Sequence, residues 1–253
     1  MAFNPRIAGP SHADRAEAPG EGGANLRSRA SDSLVLLSGG LDSAVLAARE
    51  VQAHVVHPVY VASGLAWEDG EQQVVTALLS GPPFEGSNRI LPLSRLEFTM
   101  RDVYHGQHWA LTGTPPAYDT PDEDVYLHGR NVALLSKAAV FAASRGISRI
   151  LVAHLADNPF PDATPQFFAA LNVALSLGLA APIEVEAPFA GLHKKDVVRM
   201  GADLGVPFEL TLSCMNPSGR THCGLCSKCR ERRDAFHDAG IPDPTAYANI
   251  SPR

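Results

Sequence analysis

Leu34-Val35-Leu36-Leu37-Ser38-Gly39-Gly40-Leu41-Asp42-Ser43 is the stretch on which the reading of this chain turns. Four consecutive apolar residues suit a buried strand, and Leu41 to Val51 carries the spacing of a helix packed on it. Between strand and helix, Gly39 and Gly40 let the backbone bend and approach an anion with no Cβ in the way. The free N–H groups at the helix start direct their dipole at negative charge. Ser38 and Ser43 add hydroxyl donors. Asp42 either caps the first turn or helps to place a magnesium ion, two roles the sequence does not separate. In an open α/β sheet, ligands bind beyond the carboxyl ends of the strands, which is where this turn sits.

Outward from this segment, apolar runs recur at His54 to Val61, Arg89 to Leu93, Ile150 to Ala153 and Ile183 to Val185. Helical patterns fall between them at Glu68 to Leu79, Asn131 to Ser144, Gln166 to Leu177 and Lys194 to Leu204. This alternation predicts an α/β fold with a doubly wound parallel sheet. Tyr104 to Leu127 interrupts it with Pro, Gly, Thr and Asp, and reads as either a surface insertion or an active-site lid. Residues 1–31 show no sustained apolar period and read as a mobile tail.

With 253 residues, 45% of them apolar, the chain is long enough for a sizeable core. A formal charge of −6 disfavours a generic binder of nucleic acid or anionic membrane and directs attention to small-molecule chemistry. No apolar run approaches the roughly 20 residues of a membrane span, and no secretory signal is evident, so a cytoplasmic location is expected. There the cysteines stay reduced. All four lie between Cys214 and Cys229, spaced Cys-x8-Cys-x2-Cys-x2-Cys through Cys223 and Cys226, which favours a metal over disulfides. Four thiolates satisfy tetrahedral Zn²⁺ and leave no open position, so the site is expected to be structural. An iron–sulfur cluster and a redox Cys-x-x-Cys pair are the competing readings. Gly219, Gly224 and Pro217 shape the turns around it, and Lys228, Arg230, Arg232 and Arg233 offer positive charge against the thiolates.

Several other residues suggest themselves. Arg130 and Asn131 open a helix where they make either a phosphate contact or an exposed salt bridge, and Lys194 is a second candidate phosphate ligand. Glu68 and Glu71 either meet a base edge or metal, or simply favour the helix dipole. His154, Asp157 and Asp162 follow a strand and are candidate pocket residues. His105 and His108 are too scattered for a metal site.

The string Ser38-Gly39-Gly40-Leu41-Asp42-Ser43 after a buried strand resembles the PP-loop of the N-type ATP pyrophosphatases. That resemblance implies an adenine-nucleotide α-hydrolase-like fold that binds ATP at these six residues, releases pyrophosphate and leaves AMP on a substrate oxygen. The ordinary P-loop, Gly-x-x-x-x-Gly-Lys-Ser/Thr, is absent.

The ending narrows the family. Cys214 to Cys229, Glu231-Arg232-Arg233 with Ala235-Phe236, and Ala239-Gly240-Ile241-Pro242-Asp243-Pro244-Thr245 with Tyr247 look like the ending of 7-cyano-7-deazaguanine synthases. Gly129-Arg130-Asn131, Pro161-Asp162 with Phe167 and Leu171 to Gly178, and Lys194 before Val197, Arg199 and Gly201 agree with them. The resemblance spans about Ser33 to Tyr247. It implies a PP-loop domain over 32–207 and a small zinc-binding region over 208–253. The implied reaction converts 7-carboxy-7-deazaguanine and ammonia to the nitrile through ATP-dependent adenylation, with Mg²⁺ beside the phosphates and Arg130 and Lys194 stabilising charge. Asn131 joins the loop residues as an implied nucleotide contact.

Two segments depart from the family pattern. Tyr60-Val61-Ala62-Ser63-Gly64-Leu65-Ala66-Trp67-Glu68 stands where Tyr-Gly-Gln-Arg-His is usual. Asn158 to Thr164 lacks the Cys and Arg of Gly-Tyr-Pro-Asp-Cys-Arg. Both lie where substrate rather than ATP is expected. An ATP-dependent amide-forming enzyme acting on another carboxylate is therefore the alternative function, with a tRNA-modifying PP-loop enzyme and a non-catalytic nucleotide sensor behind it. A homodimer is compatible with the sequence, which does not determine the oligomeric state.

Overall fold

The leading apolar run forms strand β1, Asp32–Leu36, in a computed structural model that describes residues 32–249. The tail expected over 1–31 lies outside the described residues. Strands β2 (Val55–Ala62), β3 (Ser94–Glu97), β4 (Arg149–Leu151) and β5 (Glu184–Glu186) join β1 in one parallel sheet ordered β3-β2-β1-β4-β5. The order reverses at β1, so β1 and β4 flank a crevice at their carboxyl ends, the usual ligand position in such sheets.

Alternate side chains explain why the strands read as continuous apolar runs. Leu34, Val59 and Ile150 pack toward helices α4 (Arg130–Ala143) and α5 (Pro165–Leu179). Val35, Tyr60 and Leu151 pack toward the opposite layer, which holds α1 (Leu41–Glu50), α2 (Glu68–Leu79), α6 (Lys194–Asp203) and α7 (Ser227–Ala239). A short helix, α3 (Trp109–Thr112), lies in the 104–127 stretch.

Two elements differ from the sequence reading. The third strand begins at Ser94 rather than at Arg89, and Ile90 makes only an isolated bridge to Val56. Pro92 has no N–H to give a ladder, so continuous pairing starts after it. Helix α7 was not expected because Ser-Lys-Cys-Arg-Glu-Arg-Arg-Asp carries almost no apolar stripe. Ala235 and Phe236 nevertheless seat it in the core beside α6.

Candidate active site and cysteine centre

The turn after β1 leaves backbone donors exposed at the start of α1. Gly40 precedes α1 with φ −66° and no side-chain cap, so the first amides of the helix remain free for a ligand. Gly39 has φ +80°, and a Cβ there would lie 2.6 Å from Cγ2 of Val74 and 2.9 Å from Cγ2 of Val75. The glycine therefore lets the turn sit directly on α2. The Ser38 and Ser43 hydroxyls are 3.2 Å apart, and Ser43 donates to the Gly40 carbonyl at 3.0 Å. The Leu41 side chain is fully buried in the core, which leaves only its backbone for a ligand.

Beyond the turn lies a cavity of about 470 Å³, adjoining a smaller one of about 180 Å³ lined by residues of β1, β2 and α4. Ser38, Gly40, Asp42, Arg130, Asn131 and His154 line both. Several buried polar atoms here have no hydrogen-bond partner among the described residues: Oδ1 of Asp42, Nε of Arg130, Nδ1 of His154 and Oδ2 of Asp162. Such atoms are costly unless a ligand or ion completes them, and the two signs present suit a ligand with both anionic and donor groups. Asp42 Oδ1 also fits the hard oxygen ligation that Mg²⁺ prefers.

Lys194, at the start of α6, donates to Asp42 Oδ2 at 2.7 Å and lies 2.9 Å from Glu231 Oε1. Glu231 in turn meets Lys228 at 2.6 Å, and Lys228 reaches Asp122 at 3.4 Å. An alternating row of charges thus runs along the cavity rim from the phosphate turn to the 104–127 stretch. Burial disfavours the charge on Glu231, yet Lys194 and Lys228 outweigh it and hold the carboxyl down at about 2. Lys194 is likewise disfavoured by burial but raised above the usual lysine range by Asp42 and Glu231.

Part of the cavity lining is aromatic. Trp67 stacks on Trp109 with centroids 5.8 Å apart, and Tyr126 lies 5.2 Å from Phe160. The 104–127 stretch therefore walls the cavity through Trp109, Asp122, Val125, Tyr126 and Leu127. Arg230 of α7 anchors it by donating to the carbonyls of Tyr118 and Thr120 at 2.7 and 3.2 Å.

The acidic residues divide by role. Glu68 closes its own turn, accepting from the Ser63 amide and hydroxyl and the Gly64 amide at 2.7–2.9 Å. Glu71 is buried at the cavity floor, where Tyr60 donates to it at 2.9 Å. Burial pushes its carboxyl up to about 7 against the opposing Arg130. Burial, then Arg130, lowers His154 to about 4, leaving a neutral ring in the cavity wall. Asp157 lines the cavity and pairs with exposed His193 at 2.6 Å. The Asn131 amide is already engaged, donating to Asp162. Arg130 makes no salt bridge among the described residues. His108 accepts from the Ala110 amide and starts α3, as a scattered histidine would.

The four cysteine sulfurs converge: Cys214, Cys223, Cys226 and Cys229 all lie within 4.8 Å of one another. The Cys226–Cys229 and Cys223–Cys229 separations are 3.5 and 3.9 Å. A tetrahedral ion with bonds of about 2.3 Å requires sulfurs about 3.8 Å apart. Backbone amides of Asn216 and Cys223 point at Cys214 Sγ at 3.3 and 3.2 Å, as donors to a thiolate would. The hydrogen bonds of the nearby basic residues go elsewhere. Fully buried Arg232 donates to Thr245, Thr211, Ser213 and the Phe208 carbonyl at 2.6–3.3 Å. Arg233 donates to the Gly224 and Asn249 carbonyls. Arg232 thereby fixes a strap whose Leu212 amide donates to the Gly39 carbonyl at 2.8 Å, so the cysteine region and the phosphate turn are mechanically joined.

The sequence alone gives no cavity role to Glu231, Lys228 or Trp109, all of which line the cavity. An acid and a base three residues apart on α7 were a visible signal, but their partners lie more than 30 residues away in the chain.

A family described as "Queuosine biosynthesis protein QueC" matches residues 32–240. A protein named 7-cyano-7-deazaguanine synthase from Porphyromonas gingivalis is 32% identical over 229 residues, covering 87% of this chain and 98% of the relative. Proteins of that name from Methanothrix thermoacetophila and Methanosphaerula palustris are 33% and 35% identical. Each covers 84% of this chain, and the matches span 96% and 97% of those relatives.

Proposed function

The chain belongs to the QueC family of queuosine biosynthesis proteins, and we propose that it is an ATP-dependent enzyme converting 7-carboxy-7-deazaguanine and ammonia to 7-cyano-7-deazaguanine. The observation that carries this reading is a cavity lined both by aromatic residues and by residues of the Ser38–Ser43 turn, among whose lining side chains Asp42, Arg130 and Asp162 hold buried atoms without a partner among the described residues.

The chemistry follows from the poor electrophilicity of a carboxylate. Helix-start amides, Ser38 and Ser43 hold the polyphosphate of ATP, and Arg130 and Lys194 stabilise charge as the substrate carboxylate attacks the α-phosphorus and pyrophosphate departs. Ammonia adds to the adenylated carbon and AMP leaves, giving the amide. A second adenylation on the amide oxygen, followed by loss of AMP, gives the nitrile. When bound, Mg²⁺ neutralises phosphate charge, and Asp42 is the residue that would hold it. Zn²⁺ suits Cys214, Cys223, Cys226 and Cys229, because sulfurs this close enclose a single ion rather than a multi-iron cluster. It would act structurally, keeping the strap over the phosphate turn.

The alternative, a ligase that stops at an amide on another carboxylate, is favoured by one observation: Trp67 and Phe160, both in departing segments, face the cavity. Mass spectrometry of the protein with 7-carboxy-7-deazaguanine, ATP, Mg²⁺ and ammonium separates the readings. The nitrile reading expects two AMP per product and the amide reading one. AMP release only with a different carboxylate would overturn the deazapurine assignment. Persistent co-purification of tRNA would instead favour a tRNA-modifying enzyme.

A further inference from the structure

Asp162 lies in a helical turn, Pro161–Ala163, between β4 and α5, and is 4% exposed. Its Oδ1 accepts a hydrogen bond from Asn131 Nδ2 at 3.1 Å, and the same amide lies 3.4 Å from the Asp162 carbonyl oxygen. Asn131 thereby fixes the rotation of the carboxylate. The other oxygen, Oδ2, is buried and makes no hydrogen bond within ordinary geometry among the described residues, although the Tyr126 phenol lies near enough that burial, and after it the Asp162 carboxylate, raise it above the usual tyrosine range. Tyr126, Phe160 and His154 line the same cavity, and Arg130 lies close enough to act on the Asp162 charge.

Burial pushes the Asp162 carboxyl above the ordinary aspartate range, against the hydrogen bonds from Asn131 and the charge of Arg130, which favour the ionised form; once ionised, a carboxylate only accepts hydrogen bonds. A ligand atom meeting Oδ2 must therefore carry hydrogen, and another carboxylate there would be repelled. The stacked aromatic walls on the same cavity suit a flat ring. We propose that Asp162, oriented by Asn131, is a specificity residue that accepts from the N–H edge of an aminopyrimidinone-type heterocycle and so turns the substrate carboxylate toward the phosphate loop. This inference rests on the function proposed above.

The substitution Asp162→Asn gives a sharp test. Asn131 continues to donate to Oδ1, so the new amide nitrogen takes the Oδ2 position and a donor faces a donor. Asp162→Ala removes the acceptor without adding a donor. The experiment compares kcat/KM for AMP release with 7-carboxy-7-deazaguanine and with its analogue lacking the exocyclic amino group, in the full chain and both variants. Melting temperature and metal content report folding.

Wild type is expected to favour the amino-bearing substrate by roughly 10- to 100-fold. Both variants should lose that preference, through KM more than kcat, with Asp162→Asn binding more weakly than Asp162→Ala. Wild-type turnover of the deazapurine with the preference unchanged in both folded variants overturns the role of Asp162 and leaves the proposed function standing. Wild-type turnover only of a carboxylate with no such N–H edge overturns both. If one variant fails to fold, the other decides, and Asn131→Ala supplies a third reading: it should raise KM and weaken the preference by freeing the carboxylate.

Discussion

The ammonium of Lys194 stands 2.7 Å from Oδ2 of Asp42, tying the start of α6 to the phosphate turn across 152 residues of sequence. The same ammonium reaches Glu231 of α7, so one cation joins three segments at the cavity rim. Replacing it leaves two acids facing each other where phosphates are proposed to bind. Lys194→Gln is expected to lower kcat/KM for AMP formation by about 10²–10³-fold, while the protein still folds and retains its metal. Steady-state kinetics with circular dichroism check this.

Glu231 also makes a prediction about acid. Its folded-state carboxyl is held at about 2 by Lys194 and Lys228 despite burial, below the ordinary carboxylate value. The stability it contributes is therefore fully present above about pH 4.5 and is lost as pH falls toward about 2. Glu231→Gln is expected to be less stable than wild type at pH 7 and to lose less on acidification through that window. Urea titrations at stepped pH would show the two curves converging.

Glu71 has the opposite sign. Burial raises its carboxyl to about 7, so the folded state binds a proton that the unfolded state has already released. Stability should fall as pH rises from about 4.5 to about 7, by up to about 3 kcal/mol from this group alone. Glu71→Gln cannot ionise, so its stability relative to wild type should increase across the same range. Parallel curves for the two proteins would contradict the buried, proton-holding state.

The two glycines of the phosphate turn separate in their consequences. At Gly39, positive φ and the 2.6 Å approach to Val74 make Gly39→Ala destabilising, by about 1–3 kcal/mol. At Gly40, φ is −66° and a Cβ would meet only Ser38 Oγ at 3.2 Å and the Leu212 carbonyl oxygen at 3.7 Å. Gly40→Val is therefore expected to keep the fold and lose ATP-dependent turnover, because its side chain projects beside the helix-start amides proposed to hold phosphate. Thermal melts and pyrophosphate release distinguish the pair.

The cysteine centre predicts about one zinc per chain by elemental analysis and no iron–sulfur absorption. Cys226 is fully buried, and Cys226→Ser should reduce stability and solubility more than ATP affinity, since a closed thiolate site contributes folding energy and offers no reactive position. Unchanged melting after metal removal would count against a structural ion.

Much of the architecture was legible along the chain. The buried run at Leu34, the glycine turn and the helix period beyond it identify β1 and α1, and Glu68 to Leu79 forms a helix over the expected residues. The third strand was misplaced because apolar content at Ile90 and Leu91 masks the missing donor of Pro92. Helix α7 leaves little signal in the sequence because its buried face is small and much of its role is to anchor neighbours through Arg230 and Arg232.

Local sequence determined what depends on neighbouring residues: strand burial, helix period, backbone freedom at Gly39 and the clustered thiols. The tertiary structure decided which distant groups meet. Nothing in the spacing of Lys194, Glu231, Lys228 and Asp122 announces their single row of charges, nor does Asn131 disclose that its amide turns toward Asp162. Side-chain chemistry can be read at each position, but a hydrogen bond or ion pair depends on separation in space, and only the packing of α4, α6 and α7 about the β1–β4 crevice brings these residues within reach.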